Sequence, residues 1–227
     1  MVVVDDVVAL PDLPQPRGVA GTLFVLKIAG AMAEAGKPLD EIADAARRVI
    51  TNVASIGKSL DTCTVPGSPK ESRIPNGKAE LGLGIHGEPG VEQVDFAGAA
   101  EAMEIVLDKL RPHATSGTSV ALVNNLGSTT PLEMSVLSLA LADAKIATHV
   151  IGPAPMMTSL DMHGFSVSIL PVSDAELAAL QTGVPMPAWP GLHKIVAPDV
   201  HPLPDGLSPI EPIASANAQT EATIQHV

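Results

Sequence analysis

Residues 119–145 read SVALVNNLGSTTPLEMSVLSLALADAK, and this stretch sets the fold class. Ser119–Val123 is a near-continuous apolar run without polar alternation, the pattern of a strand covered on both faces. Asn124–Thr130 gathers the residues that make turns. Pro131 then occupies a first helical position, followed by apolar residues spaced for a helix. Strand, turn and helix in that order make one unit of an α/β protein. Downstream, IATHVIGP (146–153) and FSVSILPV (165–172) read as further strands. SDAELAAL (173–180) opens with a capping box, Ser173 to Glu176.

Upstream the same alternation continues. GVAGTLFVLKIAGAMAEAG (18–36) reads as an Ala-rich buried helix stopped by Gly36. Its internal Gly21 and Gly30 each cost about 1 kcal/mol against Ala, which predicts close packing there. PLDEIADAARRVITNVASIG (38–57) reads as a helix with Ile42, Ala45, Val49, Val53 and Ile56 on one face and Gly57 as its stop. SLDTCTVP (59–66) reads as a strand and GSPKESRIPNGK as a polar loop. AELGLGIHGEPG (79–90) alternates Leu81, Leu83 and Ile85 with small residues before a glycine-bounded turn. FAGAAEAMEIVLDKL (96–110) is an amphipathic helix with Ala99, Met103, Val106 and Leu110 on one stripe. Met1–Leu10 reads as a short strand interrupted by Asp5 and Asp6. The expected architecture is α/β, a layered sheet covered by helices, with no internal repeat.

Composition narrows the function. The 227 residues carry a net charge of -12, one cysteine and 2% aromatic residues. Cys63 alone excludes an intramolecular disulfide framework and a multi-cysteine zinc site. The acidic balance and missing aromatics argue against a nucleic-acid partner. No run of about 18 apolar residues predicts a membrane-spanning helix. Met1–Pro14 lacks a basic leader, so no signal peptide is expected and the cytoplasm is the expected compartment. From Ile195 onward the chain holds five prolines, four acidic residues and no Lys or Arg. The reading is therefore one domain over 1–194 and a Pro-rich acidic tail over 195–227.

Three segments can carry chemistry. In GLGIHGEPG (82–90), His86 sits where a strand meets a turn, flanked by Gly84, Gly87 and Gly90. Glycines there permit close backbone approach and positive φ, so the imidazole is presented outward. Imidazole near neutral pH serves as nucleophile, base or metal ligand. Glu88 lies close enough to orient a ring nitrogen or line the site. A solvated turn with an incidental histidine fits the same residues. NNLGSTTP (124–131) falls where open α/β sheets bind ligands, and it equally fits ordinary turn chemistry. TSLDMHG (158–164) invites a Ser–His–Asp reading, but the nucleophile-elbow GxSxG is missing and neighbours in sequence do not make a triad. The other histidines show no metal-ligand spacing, and Gly82, Gly84 and Gly87 lead into EPG rather than a helix. No cofactor or metal motif follows from the residues.

Taken together, RGVAGTLFVLKIAGAMAEAG (17–36), CTVPG (63–67), ELGLGIHGEPG (80–90), ALVNNLG (121–127), TSLDMHGFSVSIL (158–170) and PAW (187–189) resemble the ketose-binding (K) unit of dihydroxyacetone kinase. The resemblance spans about residues 2–190. It implies that His86 attacks the carbonyl of a small ketose and holds it as a covalent hemiaminal, with Gly87 and Glu88 beside the substrate. It also implies a donor subunit bearing ATP or tightly held ADP with magnesium, and hence no cofactor bound directly here. The family's K unit carries, further toward its N-terminus, a glycine-rich substrate loop with a second histidine and an NYTGD-type segment with an aspartate. Neither occurs in this chain. The resemblance therefore implies the C-terminal portion of a K unit working with a complementary N-terminal half-chain in a homo- or hetero-oligomer. A departure lies at the NNLG turn, where Pro131 stands one position late and Ser135 replaces an aromatic residue. Two other functions follow from the same relatives and scaffold: a non-catalytic ketose-sensing coactivator, and an isomerase or lyase acting on a carbonyl sugar.

Overall fold

The computed structural model describes residues 7, 8, 17–86 and 88–197. Seven strands form one sheet in the order β3-β2-β1-β6-β4-β5-β7. They are β1 (Ala54–Ser59), β2 (Lys78–Leu81), β3 (Glu92–Asp95), β4 (Ser119–Asn125), β5 (His149–Ala154), β6 (Gly164–Pro171) and β7 (Leu192–Lys194). The helices are α1 (Thr22–Glu34), α2 (Leu39–Asn52), α3 (Ala99–Leu110), α4 (Pro131–Ala144) and α5 (Asp174–Gln181). Among these seven strands only the β4–β5 pair is parallel; the other neighbours run antiparallel.

Side chains alternate across each strand, and two cores result. Ala54, Ile56, Ala121, Val123, Phe165, Val167 and Ile169 pack on one face against Met103, Val106 and Leu110 of α3 and Met134, Leu137 and Leu141 of α4. Val120, Leu122, Ile151 and Leu170 pack on the other against Phe24 and Ile28 of α1, Val49 of α2 and Leu180 of α5. Central strands β1, β4 and β6 are buried almost throughout, as a sheet covered by helices requires. The second face also carries a row of small polar side chains. Ser55 Oγ donates to Ser168 Oγ at 2.6 Å, and Asn124 Nδ2 to Ser166 Oγ at 3.2 Å.

Several expectations need correction. The helix expected over 38–57 stops at Asn52, and Val53 is already extended. Ala54–Ser59 is instead β1, paired along its whole length with β6. The apolar spacing at 49, 53 and 56 is helical, but Val53 and Ile56 end in the two different cores; pairing with a fully buried neighbour overrides the spacing. Gly57 is thus a strand residue rather than a helix stop, and a Cβ there would sit 3.7 Å from Leu83 Cδ2. The strand expected over 59–66 ends at Ser59, and the rest is a loop held by Leu60 N to His163 O (2.8 Å) and Thr64 N to Leu160 O (2.8 Å). The helix expected from 96 begins at Ala99, because Gly98 adopts φ 132°. A Cβ at Gly30 would meet nothing within 4 Å, so close packing does not explain that glycine. The short strands β3 and β7 lack the alternation that would announce them. The capping box of α5 is present as expected.

Of the expected first strand, only Val7 and Val8 are described; Val7 bridges Ser55 in parallel. The tail from 198 to 227 lies outside the described residues, and Ile195 packs against the first core. Among the described residues no helix is long and apolar enough to cross a membrane.

Candidate functional site

The three segments singled out in the sequence meet at one end of the sheet. Ser159 Oγ donates to the carbonyl of Ile85, joining the 158–164 turn to the histidine loop. Ser159 N donates to Leu126 O at 2.7 Å, joining it to the NNLG turn. Leu83, Leu126 and Met162, one from each segment, form a small buried cluster with half-buried Cys63 and Ile85 against it. Gly127 makes this approach possible: at φ 155°, a Cβ there would lie 2.2 Å from Ser159 O.

The histidine loop is fixed at its base and open at its tip. Gly82 N donates to Gly57 O at 2.8 Å, and Val91 N to Leu81 O at 2.9 Å. Arg17 Nη1 donates to Gly82 O at 2.9 Å and also to Pro89 O. Beneath them lies Glu80, whose side chain is 3% exposed. Its carboxylate accepts from Gly90 N at 2.9 Å and from Arg73 Nε at 3.0 Å and Nη2 at 3.0 Å. Burial raises the pKa of this carboxyl, but the hydrogen bonds from Arg73 and Gly90 outweigh it and the net shift is downward. The carboxylate is therefore ionised, and it holds the returning arm of the loop.

At the tip, the His86 side chain is 77% exposed. Glu88 does not grip the ring. Its Oε2 accepts from the backbone N of His86 at 2.9 Å, while Oε1 stands 3.8 Å from Nδ1. The carboxylate folds back over Gly84, where a Cβ would approach Oε2 to 2.3 Å. Gly84 is thus required by the Glu88 contact. Gly87 lies outside the described residues.

The other two segments are frames for this loop. Asn124 is fully buried, and its amide accepts from Met156 N (3.0 Å) and Met157 N (2.8 Å) while donating to Met157 O (2.7 Å) and Ser166 Oγ. Asn125 accepts from Gly127 N at 2.9 Å and donates to Thr129 O at 2.6 Å. Asn125 holds its own turn, and Asn124 ties the 156–157 segment to the sheet. In the 158–164 segment, the three members of the triad reading go to separate partners. Ser159 bonds Ile85, Asp161 pairs with Lys70 at 2.9 Å, and His163 Nε2 meets Glu133 Oε1 at 3.0 Å. Lys70 also reaches Asp61 at 2.6 Å, and its hydrogen bonds to both aspartates raise its pKa. No cluster of metal-ligating side chains occurs among the described residues.

Glu80, Arg73 and Arg17 were not legible as site residues. The available signal was a glutamate at a strand position between Ala79 and Leu81, both fully buried, seven residues after an arginine across the Pro75–Gly77 turn. A buried carboxylate calls for such a partner.

The fold and the loop define a class: a mixed α/β domain that presents a solvent-facing histidine from a pinned, glycine-rich turn at one end of its sheet. The Dak1 domain model matches residues 1–188, and the chain belongs to that family. A dihydroxyacetone kinase of Citrobacter freundii is 37% identical over 195 residues, covering 84% of this chain and 35% of the kinase. The dihydroxyacetone-binding subunit of the PEP-dependent dihydroxyacetone kinase of Escherichia coli is 34% identical, with 82% of this chain and 62% of the subunit covered. The C. freundii kinase in complex with AMP-PNP and Mg2+ superposes with a TM-score of 0.84 at 33% identity, over 99% of this chain and 43% of that one. A dihydroxyacetone kinase operon co-activator superposes with a TM-score of 0.72 at 28% identity, over 80% of this chain and 59% of that one. The chain therefore spans between about a third and three fifths of the relatives it matches.

Proposed function

We propose that this chain is the ketose-binding component of a dihydroxyacetone-type kinase and that His86 holds the substrate as a hemiaminal. The single observation that carries this reading is the exposed imidazole on a loop whose backbone is tied down at both arms. A ring nitrogen adds to the carbonyl carbon and forms a C–N bond. The carbonyl π pair moves to the oxygen, which takes up a proton, and the imidazole gives up its own N–H proton. Nothing leaves, so the addition is reversible. Glycerol offers no electrophilic carbon, so this chemistry separates the ketose from its reduced form. Glu88 holds the His86 backbone beside the position of the substrate. The phosphoryl donor, ATP or ADP with magnesium, belongs to a partner subunit, and the acid and base groups belong to the N-terminal region that a K unit carries beyond the matched part.

The test is nuclear magnetic resonance with dihydroxyacetone labelled at the carbonyl carbon. The labelled carbon should move from the carbonyl to the tetrahedral region on the wild-type chain and stay put on His86→Ala. An unshifted carbon on wild-type protein would end the proposal. The superposition on an operon co-activator supports a second reading, capture without phosphoryl transfer. Adding a complementary half-chain and a donor subunit separates the two: product formation favours the kinase component, and capture alone favours the sensor.

A further inference from the structure

Lys58 stands in β1 opposite Phe165, on the face that carries α3 and α4. The glycine beside it, Gly57, points to the other face, where Leu83 of the histidine loop lies. Ala54 and Ile56, on the same face as Lys58, are buried core residues. Lys58 is itself only 2% exposed, and its Nζ has no hydrogen-bond partner among the described residues. The amine lies 6.0 Å from the centre of the Phe96 ring. Lys58 and Phe96 both line a cavity of about 40 Å³, walled also by Ala102, Leu137 and Phe165. His163 and Glu133, hydrogen-bonded to each other, form its half-exposed end.

An unpaired amine in an apolar wall costs free energy, and far more if it is charged. It calls for an acceptor inside the cavity. The volume admits about three or four heavy atoms. The apolar walls disfavour a strongly hydrated ion, and the nearby carboxylates of Glu101 and Glu133 disfavour a dianion. One negative charge, two acceptor oxygens and a methyl-sized remainder meet these conditions. We propose that this cavity binds a small monocarboxylate of formate or acetate size. Its carboxylate accepts from Lys58 Nζ, and its carbon end rests against Phe96, Ala102 and Leu137. Burial holds the lysine amine below its ordinary range while Glu101 draws it back, and a bound carboxylate would act in the same direction as Glu101.

Saturation-transfer difference spectra on the full chain test this, with acetate as probe and acetamide as the neutral control of similar shape. Acetate should show transfer with millimolar half-saturation, and acetamide should show little. Lys58→Met should weaken acetate by at least about tenfold, the loss of one charge-assisted hydrogen bond. Methionine keeps the stem out to Cε and removes the unpaired amine, so the variant should melt no lower than wild type. Ala102→Leu fills the cavity and keeps Lys58, and should abolish the signal. His86→Ala should leave it intact. Equal acetate signals in wild type, Lys58→Met and Ala102→Leu would overturn the proposal. So would no signal from wild type, which would leave the cavity to water.

Discussion

Glu80→Gln should loosen the histidine loop and destabilise the domain together. The carboxylate accepts two arginine hydrogen bonds and the Gly90 N–H in a position where its side chain is 3% exposed. Arg73 is itself only 18% exposed, so the variant leaves a largely buried guanidinium facing a neutral amide. Breaking one member of a buried ion pair costs about 3–5 kcal/mol. The amide oxygen still accepts one hydrogen bond, and Arg73 keeps its contact with Glu71, so the lower end of that range applies. Such a loss is a large share of the roughly 5–15 kcal/mol that holds a domain together. Urea unfolding followed by circular dichroism measures it directly. The pH dependence gives an independent check. The folded Glu80 pKa lies below its ordinary value of 4.5. Its stabilisation is therefore complete above the unfolded pKa and disappears as pH falls through the folded one. The gap between wild type and Glu80→Gln should be constant near neutrality and close below about pH 4.5. A double variant with Arg73→Met should recover part of the loss, because no uncompensated charge remains. A single-variant effect under about 1 kcal/mol, the scale of an exposed pair, would refute the assignment of Glu80 as the pin of the loop.

Gly30→Ala should stabilise the chain by up to about 1 kcal/mol, since a helical Cβ there meets nothing within 4 Å. A thermal melt that falls instead would show a contact at that surface. Gly127→Ala should act in the opposite sense by forcing Ser159 away, with a lower melting temperature and faster amide exchange at Ser159 and Leu126. Thr130→Ala removes a capping box in which Thr130 Oγ1 accepts from Glu133 N, and should cost about 1 kcal/mol in urea unfolding. His86→Ala should leave the melting temperature within a degree or so of wild type, because the side chain is exposed and such surface changes stay within about 0.5 kcal/mol.

How far the sequence could be read depended on whether a residue's surroundings were local. The helices α4 and α5 announce themselves through Pro131 and through the Ser173–Glu176 box, both of which act within one turn. The buried strand β4 opens as a continuous apolar run, and β6 sets Phe165, Val167 and Ile169 between small serines; both are legible because most of their apolar residues are β-branched or large and closely spaced. By contrast, Val53–Gly57 reads as the end of a helix until β6 is laid beside it. Propensity along the chain carries no information about a partner more than 100 residues away. The same limit applies to the site. His86 was visible because its glycines act on its own loop. Glu80, Arg73 and Arg17 act through space, and only the Arg73–Glu80 pair leaves a faint trace in spacing.

The meeting of three separate loops at His86 has a cause in the sheet. On the α1/α2 face, Ser55, Gly57 and Ser59 of β1 lie beside Ser168, Ser166 and Gly164 of β6, and Asn124 of β4 follows. Large apolar side chains in these positions would hold the covering segments away from the strands. Small ones let main chain approach main chain. Gly82 reaches the Gly57 carbonyl, Leu126 reaches the Gly164 carbonyl, and a Cβ on Gly164 would stand 2.6 Å from Lys58 O. The alternation of serine and glycine that weakens these strands as apolar core is therefore what seats the loops. Gly164→Ala tests this at one atom. It should separate β1 from β6 at their site end and disturb the amide resonances of Leu126 and Ser159 on the two neighbouring loops. A local change confined to β6, with the 126 and 159 amides unmoved, would mean that the loops hold each other without the sheet.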